Sequence, residues 1–270
     1  VPRYPPVRLL KAVIAVANER NVKTTAASVA FYMFNTAIPF ALLGFVLLSY
    51  FGHIDLLRQA IELVVGDNLR QFQAIVDRVS DDPAGRRRAV VIAAGILVWS
   101  AFQLFQTVDS AFAEVYDERA EASLLTTVFN TTLVLAVVIS GVGGVGVVGA
   151  LLSFRAESAA WVPYTTVFMF VLLLAVFLPM YSLFPRVATP LGEALPGTVL
   201  AAAGWTVSAG FFRVYLNFSA TPYGLAGAVL LLLTWLYVGG LLLLLGGVLN
   251  AVLGGHVEVD LDWLPGPSEK

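Results

Sequence analysis

The chain contains no cysteine and only two histidines among 270 residues. Without thiols it can form neither a disulfide nor a thiolate nucleophile, cysteine-based metal sites are excluded, and redox chemistry gives no guide to its compartment. The histidines, His53 and His256, stand far apart in sequence and have no ligand-spaced neighbours on a helix. Charge is scarce as well, with 13% Asp, Glu, Lys and Arg against about 25% in ordinary soluble domains. The net charge of −2 and pI of 5.7 supply no basic face, so no nucleic-acid partner is expected.

The few charges are also segregated. All 16 basic and 18 acidic residues lie outside six stretches, Thr24 to Gly52, Ala89 to Val108, Ala122 to Phe154, Ser158 to Pro185, Ala194 to Phe212 and Val214 to Gly255. A bilayer core needs about 20 apolar residues per helix, and a charge at its centre costs about 2.5–3.5 kcal/mol on insertion scales. With 59% hydrophobic residues and a mean hydropathy of +0.84, lipid must cover much of the surface. The pattern predicts an all-α polytopic membrane protein: a six-transmembrane-helix bundle with an amphipathic helical hairpin between the first and second spans.

Three regions follow: a basic amphipathic N-terminal segment 1–23, a six-helix domain 24–255, and an acidic tail 256–270. In the first, Val7, Leu10, Ile14 and Ala17 recur at helical spacing, with Arg8, Lys11 and Glu19 elsewhere around the helix. This suits a helix lying on the headgroups. The apolar run that follows is far longer than a signal h-region and lacks a cleavage site, so the first helix is expected to be retained. Pro39 interrupts the first span, its ring crowding the carbonyl of Asn35, and a kink is expected. Segment 53–88 carries two apolar stripes, Ile54, Leu57, Ile61, Val64 and Leu69, Phe72, Val76, Val79, separated by Gly66 and Asp67. It reads as a helical cap on the bundle or the membrane surface, with a ligand-binding domain as the alternative.

The second span is expected over 89–108, continuing toward Tyr116, and the third over about 124–153. The fourth is expected to be broken by prolines in LPMYSLFP, 178–185. The fifth should begin near Pro196 and Gly197, and the sixth run from about Tyr223 to Leu253 after an interfacial turn at 215–222. Six spans put both termini on one side. Lys and Arg are evenly divided between the two sides, and the basic N-terminus argues for cytoplasmic termini.

The residues from 195 to 251, LPGTVLAAAGWTVSAGFFRVYLNFSATPYGLAGAVLLLLTWLYVGGLLLLLGGVLNA, resemble the signature of the YihY/BrkB family of membrane proteins, once labelled ribonuclease BN. The shared features are a Pro-Gly turn, a helix ending in Phe-x-x-Tyr, a Tyr-Gly pair, a Leu-rich helix with Trp-Leu-Tyr, and a Leu-Asn-Ala close. AASVAFYMFNTAIPF (26–40), AFAEVYDER (111–119) and FLPMYSLFP (177–185) resemble further family segments in the same order. Three positions depart: Val248 stands where the family usually has Glu, Ala113 where it has Asn, and Asn35 where it has Ser. The resemblance implies a six-helix bundle in the cytoplasmic membrane with both termini inside. It implies transport or export among proposed roles, and no settled activity.

No catalytic residue, cofactor site or metal site is assigned. Hydrolysis of a phosphodiester needs metal ligands or an acid–base pair in a shared cleft, and the nearest approach is HVEVDLD, 256–262. Its His256, Glu258, Asp260 and Asp262 would share one face of a strand; a solvated acidic tail is the simpler reading. Small residues at four-residue spacing, Ala136, Ser140 and Gly144 in the third span and Gly246, Asn250 and Gly254 in the sixth beside Gly247, fit close helix packing or self-association. For the third span a flexible gate is the alternative. Gln103, Gln106 and Ser110 share one helical face, expected to turn inward. Together with Asn35, Arg213 and Asn250 the two glutamines form a candidate polar cavity bounded by the first, second, fifth and sixth spans. Arg213 either snorkels to the headgroups beside Tyr215 or lines that path. Pro39, Gly144, Pro179, Gly246 and Gly247 are the candidate kink and packing positions. The expected partners are the bilayer itself and a lipid or small solute.

Overall fold

The computed structural model describes residues 5–50, 83–116, 162–185, 189–218 and 224–257. These form six α-helices: α1 (Pro6–Glu19), α2 (Val22–Tyr50), α3 (Pro83–Val115), α4 (Val162–Leu183), α5 (Leu191–Phe218) and α6 (Gly224–Gly254), with no strand among the described residues. Three stretches are long and apolar enough to cross a membrane among the described residues: Thr166–Leu183, Leu191–Phe211 and Val229–Gly254. The expected cap, apart from its last residues, and the expected third span with Gly144 lie outside the described residues.

Local chemistry sets the helix ends. Pro6 occupies the first turn of α1, where its missing N–H would have had no partner. Asn21 takes φ 49 between α1 and α2, the left-handed region that asparagine tolerates better than most residues. Its carbonyl then accepts from the Thr24 and Thr25 amides to start α2. At the end of α6, Gly255 adopts φ +70, while the Gly255 amide donates to the Val252 carbonyl and the His256 amide to that of Ala251. This is the paired closure of a Schellman motif.

Several boundaries differ from the expectation. α3 begins at Pro83, taking Arg86, Arg87 and Arg88 out of the expected cap and into the helix; a first-turn proline explains the earlier start. α5 begins at Leu191, after Pro190, so Pro196 is interior. It then continues into the expected turn as far as Phe218, and 219–222 lie outside the described residues. Pro179 is also interior, and α4 ends at Leu183, just before Pro185.

The chain divides into two compact units. Unit 1 holds α1, α2 up to Ala26, α3 from Val108, α4, α5 up to Val207 and α6 from Gly239. Unit 2 holds α2 from Ala27, α3 up to Thr107, α5 from Ser208 and α6 up to Val238.

Within unit 1 the core is aromatic and close-packed. Phe112 of α3 stacks on Phe184 with centroids 5.3 Å apart, and lies 5.5 Å from the ring of Tyr181 in α4. The Tyr181 hydroxyl donates to the Leu243 carbonyl of α6 at 2.5 Å. Lipid tails are as apolar as these side chains, so such packing and interhelical hydrogen bonds, more than water exclusion, hold membrane helices together. Within unit 2, Thr36 of α2 donates to the Ser100 carbonyl of α3 at 3.2 Å, and the Trp235 indole of α6 donates to the Ser208 hydroxyl of α5 at 3.2 Å.

Candidate functional site

The most fully built polar feature is a clamp in unit 1 centred on Asn250. Pro196 has no amide hydrogen to give to the α5 ladder, and the next residue, Gly197, turns its N–H out of the helix to the Asn250 side chain. Asn250 Oδ1 accepts it at 2.6 Å, and Asn250 Nδ2 donates to the Ala194 carbonyl at 3.0 Å. Thr198 Oγ1 donates to that same carbonyl at 2.7 Å. Asn250 is 1% exposed, so both ends of its amide are committed to backbone and neither is presented to a solute.

Glycine makes this approach possible. A Cβ on Gly197 would strike the Gly246 carbonyl and the Asn250 amide carbon, the latter at 2.7 Å. One on Gly246 would strike the Tyr181 hydroxyl and the Gly197 carbonyl. On Gly247, by contrast, it would meet Phe112 Cε1 at 3.4 Å, an ordinary contact. Farther along, Gly239 lies under the Trp205 ring, whose Nε1 donates to the Gly239 carbonyl at 3.0 Å. The Pro-Gly and Leu-Asn-Ala elements of the resemblance are therefore two halves of one contact. Val248, in place of the family's usual Glu, is fully buried in the same core, so a carboxylate there would need a buried partner.

The remaining cavity candidates belong to unit 2. Asn35 and Gln106 are exposed, Gln103 is half-buried, and Ser110, in unit 1, is exposed. None of the three amide side chains hydrogen-bonds a described residue. Pro39 is buried beside them in sequence, and Pro179 is half-buried in α4. Arg213 lies in the last part of α5. Gln106 follows Trp99 and Phe102 on the outward side of α3, with Trp99 65% and Phe102 47% exposed. An amide left without a partner in hydrocarbon is costly, so Gln106 needs a partner beyond the described residues.

A third group gathers at helix ends in unit 1. Glu193, in the first turn of α5, lies 3.5 Å from His256 Nε2, and the His256 ring is 5.9 Å from that of Tyr116. Thr25 Oγ1 donates to Glu114 at 3.3 Å. Glu114 is exposed, while Glu193 and His256 are partly so, and ion pairs at such exposure contribute about 0–1 kcal/mol. Among the described residues no group of three His, Asp or Glu could hold a metal ion. Glu258, Asp260 and Asp262 lie outside them.

Sequence reasoning did not single out Gly197, Ala194 or Tyr181 as a site. The quoted Pro-Gly and FLPMYSLFP segments contained Gly197 and Tyr181, but nothing in them told which carbonyl or amide each would meet.

Long apolar helices joined at polar and glycine contacts define a polytopic α-helical membrane protein. The chain belongs to the virulence factor BrkB family, whose model matches residues 13–262. Among its relatives, a ribonuclease-like protein YfkH of Bacillus subtilis is 28% identical over 67% of this chain and 72% of its own length. A UPF0761 membrane protein of Chlorobium limicola is 27% identical over 89% of this chain, which spans 57% of that longer relative. A UPF0761 membrane protein of Idiomarina loihiensis is 24% identical over 87% of each chain. No solved structure matches the chain significantly.

Proposed function

We propose that this protein is a transporter-like component of the cytoplasmic membrane, with both termini in the cytoplasm, that moves or exports a lipid or small solute. The observation that carries the reading is a set of amides in unit 2 that no described residue satisfies. Asn35, Gln103 and Gln106 sit on apolar helices without a described hydrogen-bond partner, and two of them are exposed. Polar groups kept at membrane depth by default mark a path or a binding surface. Asn250 leaves the candidate cavity under this reading, because its amide is spent on the α5 backbone.

A second reading, a non-transporting structural or envelope-assembly protein, draws on the solid glycine-fitted packing of unit 1. Self-association belongs with it. Gly95 of α3 and Gly210 of α5 have open space where a Cβ would stand, whereas Gly197, Gly239 and Gly246 are already filled by this chain's own atoms. Neither reading includes catalysis, and the ribonuclease-like wording belongs to the Bacillus relative.

Proteoliposomes test the proposal with two probes. Transbilayer movement of an NBD-labelled phosphatidylglycerol, read by dithionite quenching, covers lipid; osmotic swelling in glycerol, read by light scattering, covers a small solute. We expect flux with one probe, reduced at least tenfold in the folded triple variant Asn35→Leu, Gln103→Leu, Gln106→Leu. Equal flux in the variant removes the polar path. Absence of flux with both probes, from protein shown to be folded, favours the structural reading.

A further inference from the structure

Helix α1 has two apolar faces, and only one of them is covered. Ala12, Ala15 and Val16 turn inward, with exposures of 0%, 6% and 1%. The stripe legible in the sequence is the outward one: Val7, Leu10 and Ile14 are 66%, 60% and 47% exposed. Beside it runs a basic column. Lys11 is four residues after Val7 and three before Ile14, hence a neighbour of both on the helix surface, and Arg8 lies one turn earlier; both are exposed. No acidic residue precedes Glu19 in the helix, and Glu19 lies 4.0 Å from Arg20.

We propose that this outward face of α1 is a binding surface for an anionic phospholipid leaflet, with Val7, Leu10 and Ile14 set into the acyl boundary and Arg8 and Lys11 on headgroup phosphates. Three features support that occupant. Burial of Ala12, Ala15 and Val16 fixes the rotation of α1, so the outward stripe cannot turn inward to hide. The chain passes through Asn21 directly into α2, whose uncharged run starts at Thr24, which places α1 at headgroup depth. Apolar stripe and cationic column together match what an anionic leaflet offers, acyl chain beside phosphate. The surface depends on membrane embedding alone and is independent of whether the protein transports anything.

The absence of cysteine makes the test direct. Single-cysteine variants Val7→Cys, Leu10→Cys and Ile14→Cys of the full chain are nitroxide-labelled and placed in nanodiscs of phosphatidylcholine, with and without phosphatidylglycerol. We expect all three labels to be more accessible to oxygen than to a water-soluble nickel chelate. Spin-labelled phosphatidylglycerol should be enriched around the protein, the preference falling about fivefold per charge removed in Arg8→Gln and Lys11→Gln, as expected for about 1 kcal/mol per basic residue near an anionic surface. The unmodified protein should lose the same preference as salt rises, which decides the matter even if the charge variants fail to fold. Labels open to the nickel chelate, a phosphatidylglycerol preference insensitive to both salt and substitution, or dipolar broadening showing a second copy against the stripe would each overturn the proposal.

Discussion

Replacing Asn250 by alanine removes the clamp between α6 and α5 while leaving no bulk to clash. Two hydrogen bonds disappear, from the Gly197 amide at 2.6 Å and to the Ala194 carbonyl at 3.0 Å. Interhelical hydrogen bonds in membrane proteins average about 0.6 kcal/mol and reach about 1.7. The Ala194 carbonyl keeps Thr198 as a donor, so its loss should sit near the lower figure. Gly197 differs, because its donor would be stranded beside Pro196 among the fully buried Ala194, Thr198 and α6 backbone. The penalty for a buried unsatisfied group is about 1–3 kcal/mol. We therefore expect Asn250→Ala to destabilise the protein by about 2–3 kcal/mol, measured by SDS titration of the folded protein in mixed micelles with helical circular dichroism as the signal. Asn250→Asp separates the two contacts: it keeps the acceptor for Gly197 but sets an oxygen against the Ala194 carbonyl, and should also destabilise. A cost below about 0.5 kcal/mol for Asn250→Ala, inside the scatter of unremarkable surface changes, would refute the clamp.

Neighbouring glycines should respond oppositely: Gly246→Ala drives a methyl into the Tyr181 hydroxyl and the Gly197 backbone and should cost about 1–3 kcal/mol or more, while Gly247→Ala, at ordinary distance from Phe112, should stay within about 0.5 kcal/mol, both by the same titration. Tyr181→Phe keeps the tilted ring contact with Phe112 but loses the bond to Leu243, an expected loss of about 0.6–1.7 kcal/mol. Trp205→Phe likewise loses the bond from the indole to the Gly239 carbonyl, with a loss in the same range. Glu193→Gln, which weakens the partly exposed contact to His256, should change stability by less than about 1 kcal/mol at neutral pH, and a larger effect would show that the pair is more deeply structural than its exposure implies.

Much of this was legible from the sequence, and for one reason. Hydropathy and helical period are sums over neighbouring residues, so the chain carries them openly. They are enough to identify lipid as the solvent, helix as the only described element, α1 as amphipathic, and α6 to within a residue of its ends. Where two local signals competed, the sequence could not rank them. Pro190 and Pro196 both suit a helix start; Pro190 precedes the observed one, and Pro196 is tolerated inside because a side chain from another helix meets the amide next to it. The amide residues show the same division. Asn35, Gln103, Gln106 and Asn250 are alike as polar residues at membrane depth, yet Asn250 is buried and fully bonded, and Asn35 and Gln106 are exposed.

By itself, the sequence determined that this is a helical membrane protein of the BrkB type with a basic N-terminal helix. Tertiary structure alone decided which asparagine is a fastener and which glycines cannot bear a methyl group. The contacts behind those outcomes join residues 53 and 62 positions apart, and their strength depends on ångström-scale approach of backbones that no local pattern encodes.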